Sequence, residues 1–210
     1  MSGELTKAIA NLEENEALRL TREKLDSGEE PQSLLEESRK GMEIVGKRFS
    51  EGTYFLPELI YSAEILKEIT EIVKPRLTQE VQSERLGKCI IGTVAGDIHD
   101  IGKDIVVFML DVNGFEVHDL GVDVPPQKFV EKISETDAPV VGLSGFLTLA
   151  FDSMKETVDA IKAAGLRDKV KIMIGGGQID EEIRKYAGAD AFGQDAMTAV
   201  SLAQGWIGAK

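Results

Sequence analysis

Nitrogen and sulfur ligands are scarce in this 210-residue chain, which holds two histidines and one cysteine. A zinc site draws three or four converging ligands, mostly from these residue types, so such a centre is not expected. The single cysteine, Cys89, has no partner for an internal disulfide, and within the apolar run CIIGTV it reads as a buried strand position. Basic residues are also outnumbered: 24 Lys and Arg stand against 37 Asp and Glu, a net charge of −13. That balance repels phosphate backbones and anionic lipid surfaces, which argues against nucleic acid and membrane as partners. No apolar stretch approaches the roughly 18 residues of a membrane span. The opening segment MSGELTKAIANLEENEALRL has neither a basic flank nor an unbroken apolar core, so a soluble, cytoplasmic protein is expected.

Hydrophobic periodicity divides what is there into two halves. Leu35, Ser38, Met42, Val45 and Phe49 recur every three or four residues, as do Leu59, Ala63, Leu66, Ile69 and Val73. Each series lines one face of a helix. Pro31 suits a helix start, and Leu5, Ile9, Leu12, Leu18 and Leu25 supply one or two more helices. Residues 1–87 are therefore expected to form a helical bundle. The polar segment KPRLTQEVQSERLGK, residues 74–88, begins at a proline and marks the boundary.

From residue 88 onward, short apolar runs alternate with amphipathic segments: CIIGTVAG, FEVHDLG, PVVGLSGF, VKIMIGGG and ADAFG. Five such repeats predict an α/β domain over 88–210, a Rossmann-like, five-stranded parallel sheet in the flavodoxin-like order. Open sheets of this kind bind ligands at the C-terminal ends of their strands. One of those ends reads GDIHDIGK, residues 96–103. His99 follows the first strand and precedes a helix expected to begin near Lys103, so its imidazole is expected to point into a crevice. Alone it could be a solvated turn residue. Two residues earlier, however, Asp97 is close enough to accept a hydrogen bond from one ring nitrogen, which leaves the other as a lone-pair donor. Gly102 removes a side chain where a bulky ligand would pass close to the backbone. The second histidine, His118, lies inside the alternating run FEVHDL and is expected to face solvent or pack. One protein ligand suits a metal whose other positions are filled by a macrocycle.

Asp97, His99 and Gly102 fit the D-x-H-x-x-G signature of the cobalamin-binding domain shared by methionine synthase, base-off mutases and the corrinoid proteins of methyltransferase systems. In that family S-x-L and G-G follow at fixed intervals. Here residues 103–143 separate Gly102 from Ser144, and residues 147–174 separate Phe146 from Gly175 and Gly176. Both intervals match the family spacing. The S-x-L leucine is replaced by Phe146. The segment FSEGTYFLPEL, residues 49–59, resembles the helical cap of methionine synthase and of the methyltransferase corrinoid proteins, so the resemblance covers nearly the whole chain.

The resemblance implies a base-off, His-on cobalamin. His99 would be the metal ligand and Asp97 its hydrogen-bond partner. Asp100, Ile101 and Gly102 would continue the loop against the cofactor. Ser144, Phe146, Thr148, Gly175 and Gly176 would line the slot for its nucleotide tail. Phe49, Leu56 and Leu59 would cover the other face of the corrin. The implied function is methyl carriage on cobalt: Co(I) accepts a methyl group delivered by a substrate-specific methyltransferase, and a second methyltransferase removes it from methyl-Co(III) for tetrahydrofolate or a thiol. A reductive activation protein would restore oxidised cobalt. On this view the chain is a carrier and not itself a catalyst. The alternatives are a cobalamin store or sensor and, further off, a nucleotide-binding module without corrinoid. In methionine synthase a serine six positions beyond the S-x-L serine extends the histidine–aspartate relay. Here that position is Ala150, so the relay is expected to stop at Asp97 or use water, and restoring serine is expected to alter the pH at which the axial nitrogen leaves cobalt.

Overall fold

A computed structural model describes residues 3–76, 85–177 and 179–208. The chain divides into two compact units, residues 1–84 and 85–210. The division falls three residues ahead of the boundary drawn from composition. Its cause is local: Leu86 donates its N–H to Gly114 O at 2.8 Å, and Arg85 reaches Phe115 O at 2.8 Å and Asp111 Oδ1 at 2.9 Å, so both residues belong to the second unit.

The first unit is four helices: α1 (Glu4–Ala10), α2 (Glu14–Asp26), α3 (Pro31–Ser50) and α4 (Leu56–Val73). Pro31 opens α3, where its missing N–H has no helical acceptor to lose. The buried face of α3 runs through Leu34, Ser38, Met42 and Val45, with Phe49 half-buried; Leu35, expected on this face, is half-buried, and Leu34, one position back and four residues before Ser38, takes its place. The buried face of α4 differs from the expected series: Leu59, Ser62, Ile65, Ile69 and Val73 are buried, while Ala63 and Leu66 are only half-buried. Ser62 makes that rotation possible by donating its hydroxyl to Leu59 O at 2.7 Å, so a polar side chain enters the interior already satisfied. The turn between α3 and α4 is anchored to the end of α1. Tyr54 Oη donates to Ala10 O at 2.8 Å, and Arg48 donates to the same carbonyl and to Asn11 Oδ1. Glu58 accepts the Phe55 N–H at 2.9 Å and closes the start of α4.

The second unit alternates β1 (Lys88–Thr93), α5 (Ile101–Val112), β2 (Glu116–Asp119), α6 (Pro126–Thr136), β3 (Val140–Ser144), α7 (Ala150–Ala163), β4 (Lys171–Gly175), α8 (Glu181–Ala187), β5 (Ala191–Gly193) and α9 (Ala196–Ile207). The strands are parallel in the order β2-β1-β3-β4-β5, the flavodoxin-like order. Helices α6, α7 and α8 cover one face and α5 and α9 the other. That double cover is why β1 and β3 read as unbroken apolar runs. Cys89 is fully buried in β1, and burial pushes its thiol up to about 12, which makes it a packing residue. β1 is flanked by β2 on one side and β3 on the other, so the connections that leave β1 and β3 run to helices on opposite faces of the sheet, the position at which open sheets of this kind bind ligands. Among the described residues no helix is long and apolar enough to cross a membrane.

Candidate functional site

Four strands end at one level, where Thr93, Ser144, Gly175 and Gly193 are paired across β1, β3, β4 and β5. Beyond β1 the chain runs through Gly96 to Asp100, and α5 begins at Ile101, two residues earlier than Lys103. Lys103 is instead buried in the first turn of that helix. Burial works against its charge, but Asp104 and Asp119, at 2.5 and 2.7 Å, hold its ammonium above the ordinary lysine value. The pair with Asp119 ties the start of α5 to the end of β2.

Asp97 is the centre of the loop. Its side chain is buried, and Oδ1 accepts the His99 backbone N–H at 3.0 Å while lying 2.7 Å from His99 Nδ1. Oδ2 accepts the backbone N–H groups of Phe146 at 2.6 Å and Leu147 at 2.9 Å, in the loop after β3. Burial alone would raise this carboxyl. The Leu147, His99 and Phe146 donors outweigh it and hold the group well below the usual carboxylate range. An anionic Asp97 can only accept, so Nδ1 of His99 carries the proton. Nε2 is left with its lone pair and no hydrogen-bond partner among the described residues. The imidazole is half exposed.

Residues that sequence reasoning passed over complete the support. Thr93 Oγ1 donates to His99 O at 3.0 Å from a fully buried position. Asp123 accepts the Gly96 N–H at 2.7 Å and donates its own N–H to Asp97 O at 3.0 Å. Thr93 could have been suspected as a polar residue at the end of an apolar run. Asp123 has no such signal, since its role depends on a backbone φ of 52°.

Of the other expected site residues, Ile101 and Phe146 are exposed, and so are Ile98, Leu147 and Leu149, which were not expected; together they give the loops after β1 and β3 an exposed apolar character beside a polar centre. A Cβ on Gly102 would meet nothing within 4 Å, so that position faces open space. Asp100 precedes α5 with its side chain exposed, and Thr148 is exposed in the loop before α7. Gly176 has a different reason to be glycine: its φ is +149°, and a Cβ there would stand 1.8 Å from Gly145 O. In the helical unit Phe49 is half-buried, Leu56 is 39% exposed and Leu59 is buried. Phe55 and Ile60, which sequence reasoning did not single out, are more exposed than any of them.

His118 pairs with Ile90 in the middle of the β1–β2 ladder, away from the strand ends, with Nε2 3.2 Å from Glu116 Oε1. No group of three or more His, Cys, Asp or Glu side chains among the described residues could hold a metal ion. The arrangement around His99 suits a different guest: a planar metal macrocycle that needs one nitrogen, an apolar seat and a passage between small residues.

A B12-binding domain model matches residues 87–202, and a second model of the same description matches residues 2–74. The chain is 38% identical over 196 residues to trimethylamine corrinoid protein 1 of Methanosarcina acetivorans, covering 92% of this chain and 91% of that one. Among solved structures, a cobalamin-binding protein from Desulfitobacterium hafniense superposes with a TM-score of 0.83 at 41% identity, covering 96% of both chains. The methanol:cobalamin methyltransferase complex of Methanosarcina barkeri superposes with a TM-score of 0.81 at 26% identity, covering 98% of this chain and 79% of that one. The chain belongs to the B12-binding corrinoid protein family.

Proposed function

We propose that this protein carries a methyl group on the cobalt of a bound corrinoid between two partner methyltransferases. The observation that carries the reading is the His99 imidazole, fixed by a buried anionic Asp97 with Nδ1 protonated and Nε2 free. A nitrogen prepared in this way is the form of histidine that ligates a metal. The residues present fit the cofactor: open space at Gly102, small residues at the strand ends and exposed apolar residues in the loops after β1 and β3. His99 would hold the cobalt in the base-off, His-on mode. Ser144, Thr148, Gly175 and Gly176 would line the passage for the nucleotide tail, and Phe49 and Leu56 would contribute apolar cover, while Leu59, expected to join them, is buried in the helix packing. Bound corrinoid supplies a cobalt that accepts and releases methyl groups. The chain's own task is to orient the imidazole, keep its proton on Nδ1 and exclude water.

The trimethylamine corrinoid protein is more similar in sequence than the methanol complex, at 38% against 26% identity, which supports a methylated amine as the first donor to try. A methyltransferase for that donor, a second one using tetrahydrofolate or a thiol, and a reductive activation protein are the proposed partners. Protein reconstituted with cobalamin, mixed with an amine methyltransferase and trimethylamine under reducing conditions, is expected to show the absorbance change of methyl loading. A cobalamin store or sensor would bind the cofactor and show no change. His99→Ala is expected to fold and to bind cobalamin more weakly. Its Co(II) electron paramagnetic resonance spectrum should lack the protein nitrogen, and persistence of that nitrogen would remove His99 from the role.

A further inference from the structure

Phe146 stands at the leucine position of the S-x-L pattern, and its ring does more than add bulk. Its centroid lies 4.7 Å from that of the His99 imidazole, with the two planes tilted by 38°. Its backbone N–H donates to the same Asp97 that fixes the imidazole. The ring also lies beside the turn after β4: a Cβ on Gly177 would stand 2.6 Å from Phe146 Cε2 and 2.9 Å from Cδ2. The imidazole and the turn at Gly177 are thus both neighbours of a ring that is otherwise half exposed. A leucine side chain ends at Cδ and has no atom at the Cε2 position, the nearest to Gly177.

We propose that Phe146 is a positioning residue for His99, and that Gly177 is its counterpart. Asp97 fixes one edge of the imidazole, which leaves the ring free to swing about that hydrogen bond. Phe146 blocks the swing by lying against the imidazole face, and it can do so because residue 177 has no side chain. The third glycine of GGG thus belongs with the phenylalanine, not with the tail slot. The consequence is a histidine held in its ligating orientation and tautomer before any cofactor arrives, so that less ordering remains for the binding step. The proposal concerns the cofactor through the reading that His99 ligates cobalt, but the held imidazole is a property of the chain itself.

The experiment uses cofactor-free protein. With two histidines in the chain, the ring nitrogens are assigned in a long-range 1H–15N spectrum by comparison with His99→Ala, and their shifts report the ratio of Nδ1–H to Nε2–H tautomer at His99. Phe146→Leu is expected to lower that ratio by roughly two- to tenfold, the range for loss of one aromatic pair. Gly177→Ala is expected to lower it similarly by displacing the ring. Gly177 is not among the positive-φ glycines, so alanine meets no left-handed backbone there. In the Phe146→Leu background, Gly177→Ala should have a smaller effect, because the nearest atom it would displace, Cε2, is gone. An unchanged ratio in Phe146→Leu, or equal effects of Gly177→Ala in both backgrounds, would overturn the proposal. A parallel Co(II) spectrum of the reconstituted wild type separates the two levels. Absence of a protein nitrogen there would sink the ligand reading, whereas the tautomer ratio decides the positioning role by itself.

Discussion

Two turns in this molecule carry residues proposed to meet the cofactor, and they are built by opposite means. The turn after β1 is built around one buried carboxylate: Asp97 alone accepts from four N–H groups, two of them in the loop after β3. The turn between α3 and α4 is anchored through Tyr54, Arg48 and Glu58 on its inner side, and then presents Phe55, Leu56 and Ile60 to solvent. Directional bonds hold the loop and one edge of the imidazole, and each donor removed leaves a group unsatisfied in the interior. Apolar cover has no such address, because burial is roughly proportional to area and indifferent to which atoms supply it. Substitutions should therefore act sharply at the first turn and in graded fashion at the second.

The sharpest expected effect is at Gly176. Alanine there must adopt a φ near +149° and place Cβ on Gly145 O, so either the β3 or the β4 loop has to move. Strain of about 1–3 kcal/mol for the backbone and a similar cost for overpacking give an expected loss of about 2–6 kcal/mol, read from urea unfolding. A smaller loss would mean that these loops are looser than the hydrogen-bonded turn beside them.

Asp97→Asn comes next. Three backbone donors and one ring nitrogen would face a neutral amide that offers a single acceptor oxygen. A hydrogen bond to a charged group contributes about 1.5–3 kcal/mol, so a loss of that order is expected at neutral pH. The sign of the pH dependence follows from the direction of the shift. The folded carboxyl titrates below its unfolded value, so its contribution is complete above the ordinary carboxylate value of about 4 and fades as pH falls toward the folded one. The gap between wild type and Asp97→Asn should therefore narrow in acid. A gap of constant size from neutrality to about pH 3 would show that ionisation of Asp97 is not what holds the turn.

The contrast between the turns also explains what could be read from the sequence. Strands buried on both faces appear as apolar runs, and the polar residues that follow them stand out, so the five-stranded sheet and the Asp97–His99 pair were legible. The backbone donors of Phe146 and Leu147 were not, because an N–H group has no letter. Nor was Asp123 as a support, since it acts from a loop 27 residues further along the chain, whereas Thr93 stood out only as a polar residue at the end of an apolar run. In α4 the expected stripe missed by one position, because Ser62 and Ile65 could enter the interior once the serine was satisfied by Leu59 O. Phe146 was legible only as a departure from the pattern. Its contact with His99 needed coordinates.

At the apolar turn the expected effects are smaller and concern the cofactor's lifetime. Leu59 is buried, so its truncation would report on helix packing and not on cover. Phe49 is half-buried and gives the cleaner test. Covering such a side chain fully is worth up to about 1.5–3 kcal/mol, less what is already buried. Phe49→Ala should accordingly speed oxidation or photolysis of bound corrinoid by a few-fold and leave its affinity nearly unchanged. Equal rates in the two proteins would assign the cover to other residues, with the more exposed Phe55 and Ile60 next in line.

Least of all is expected from Ala150→Ser, contrary to what the sequence alone suggests. The motif comparison makes position 150 a missing link in a relay from His99 through Asp97 toward solvent. A carboxylate offers about four lone-pair sites, and the N–H groups of His99, its Nδ1, Phe146 and Leu147 already take four. A hydroxyl could join only by displacing a backbone donor, which would leave that donor unsatisfied. Ala150 is itself buried at the first residue of α7 and faces Gly145, where an added Cβ would come within 2.5 Å of its own. Burial of the new hydroxyl should cost about 1 kcal/mol of stability, while the His99 tautomer and the corrinoid affinity stay as in the wild type. The measurement is an acid titration of both reconstituted proteins, following the axial nitrogen on Co(II) by electron paramagnetic resonance. Superimposable curves are expected, and a displaced curve would mean that Asp97 keeps room for a fifth partner and that the polar turn is less closed than its hydrogen bonds indicate.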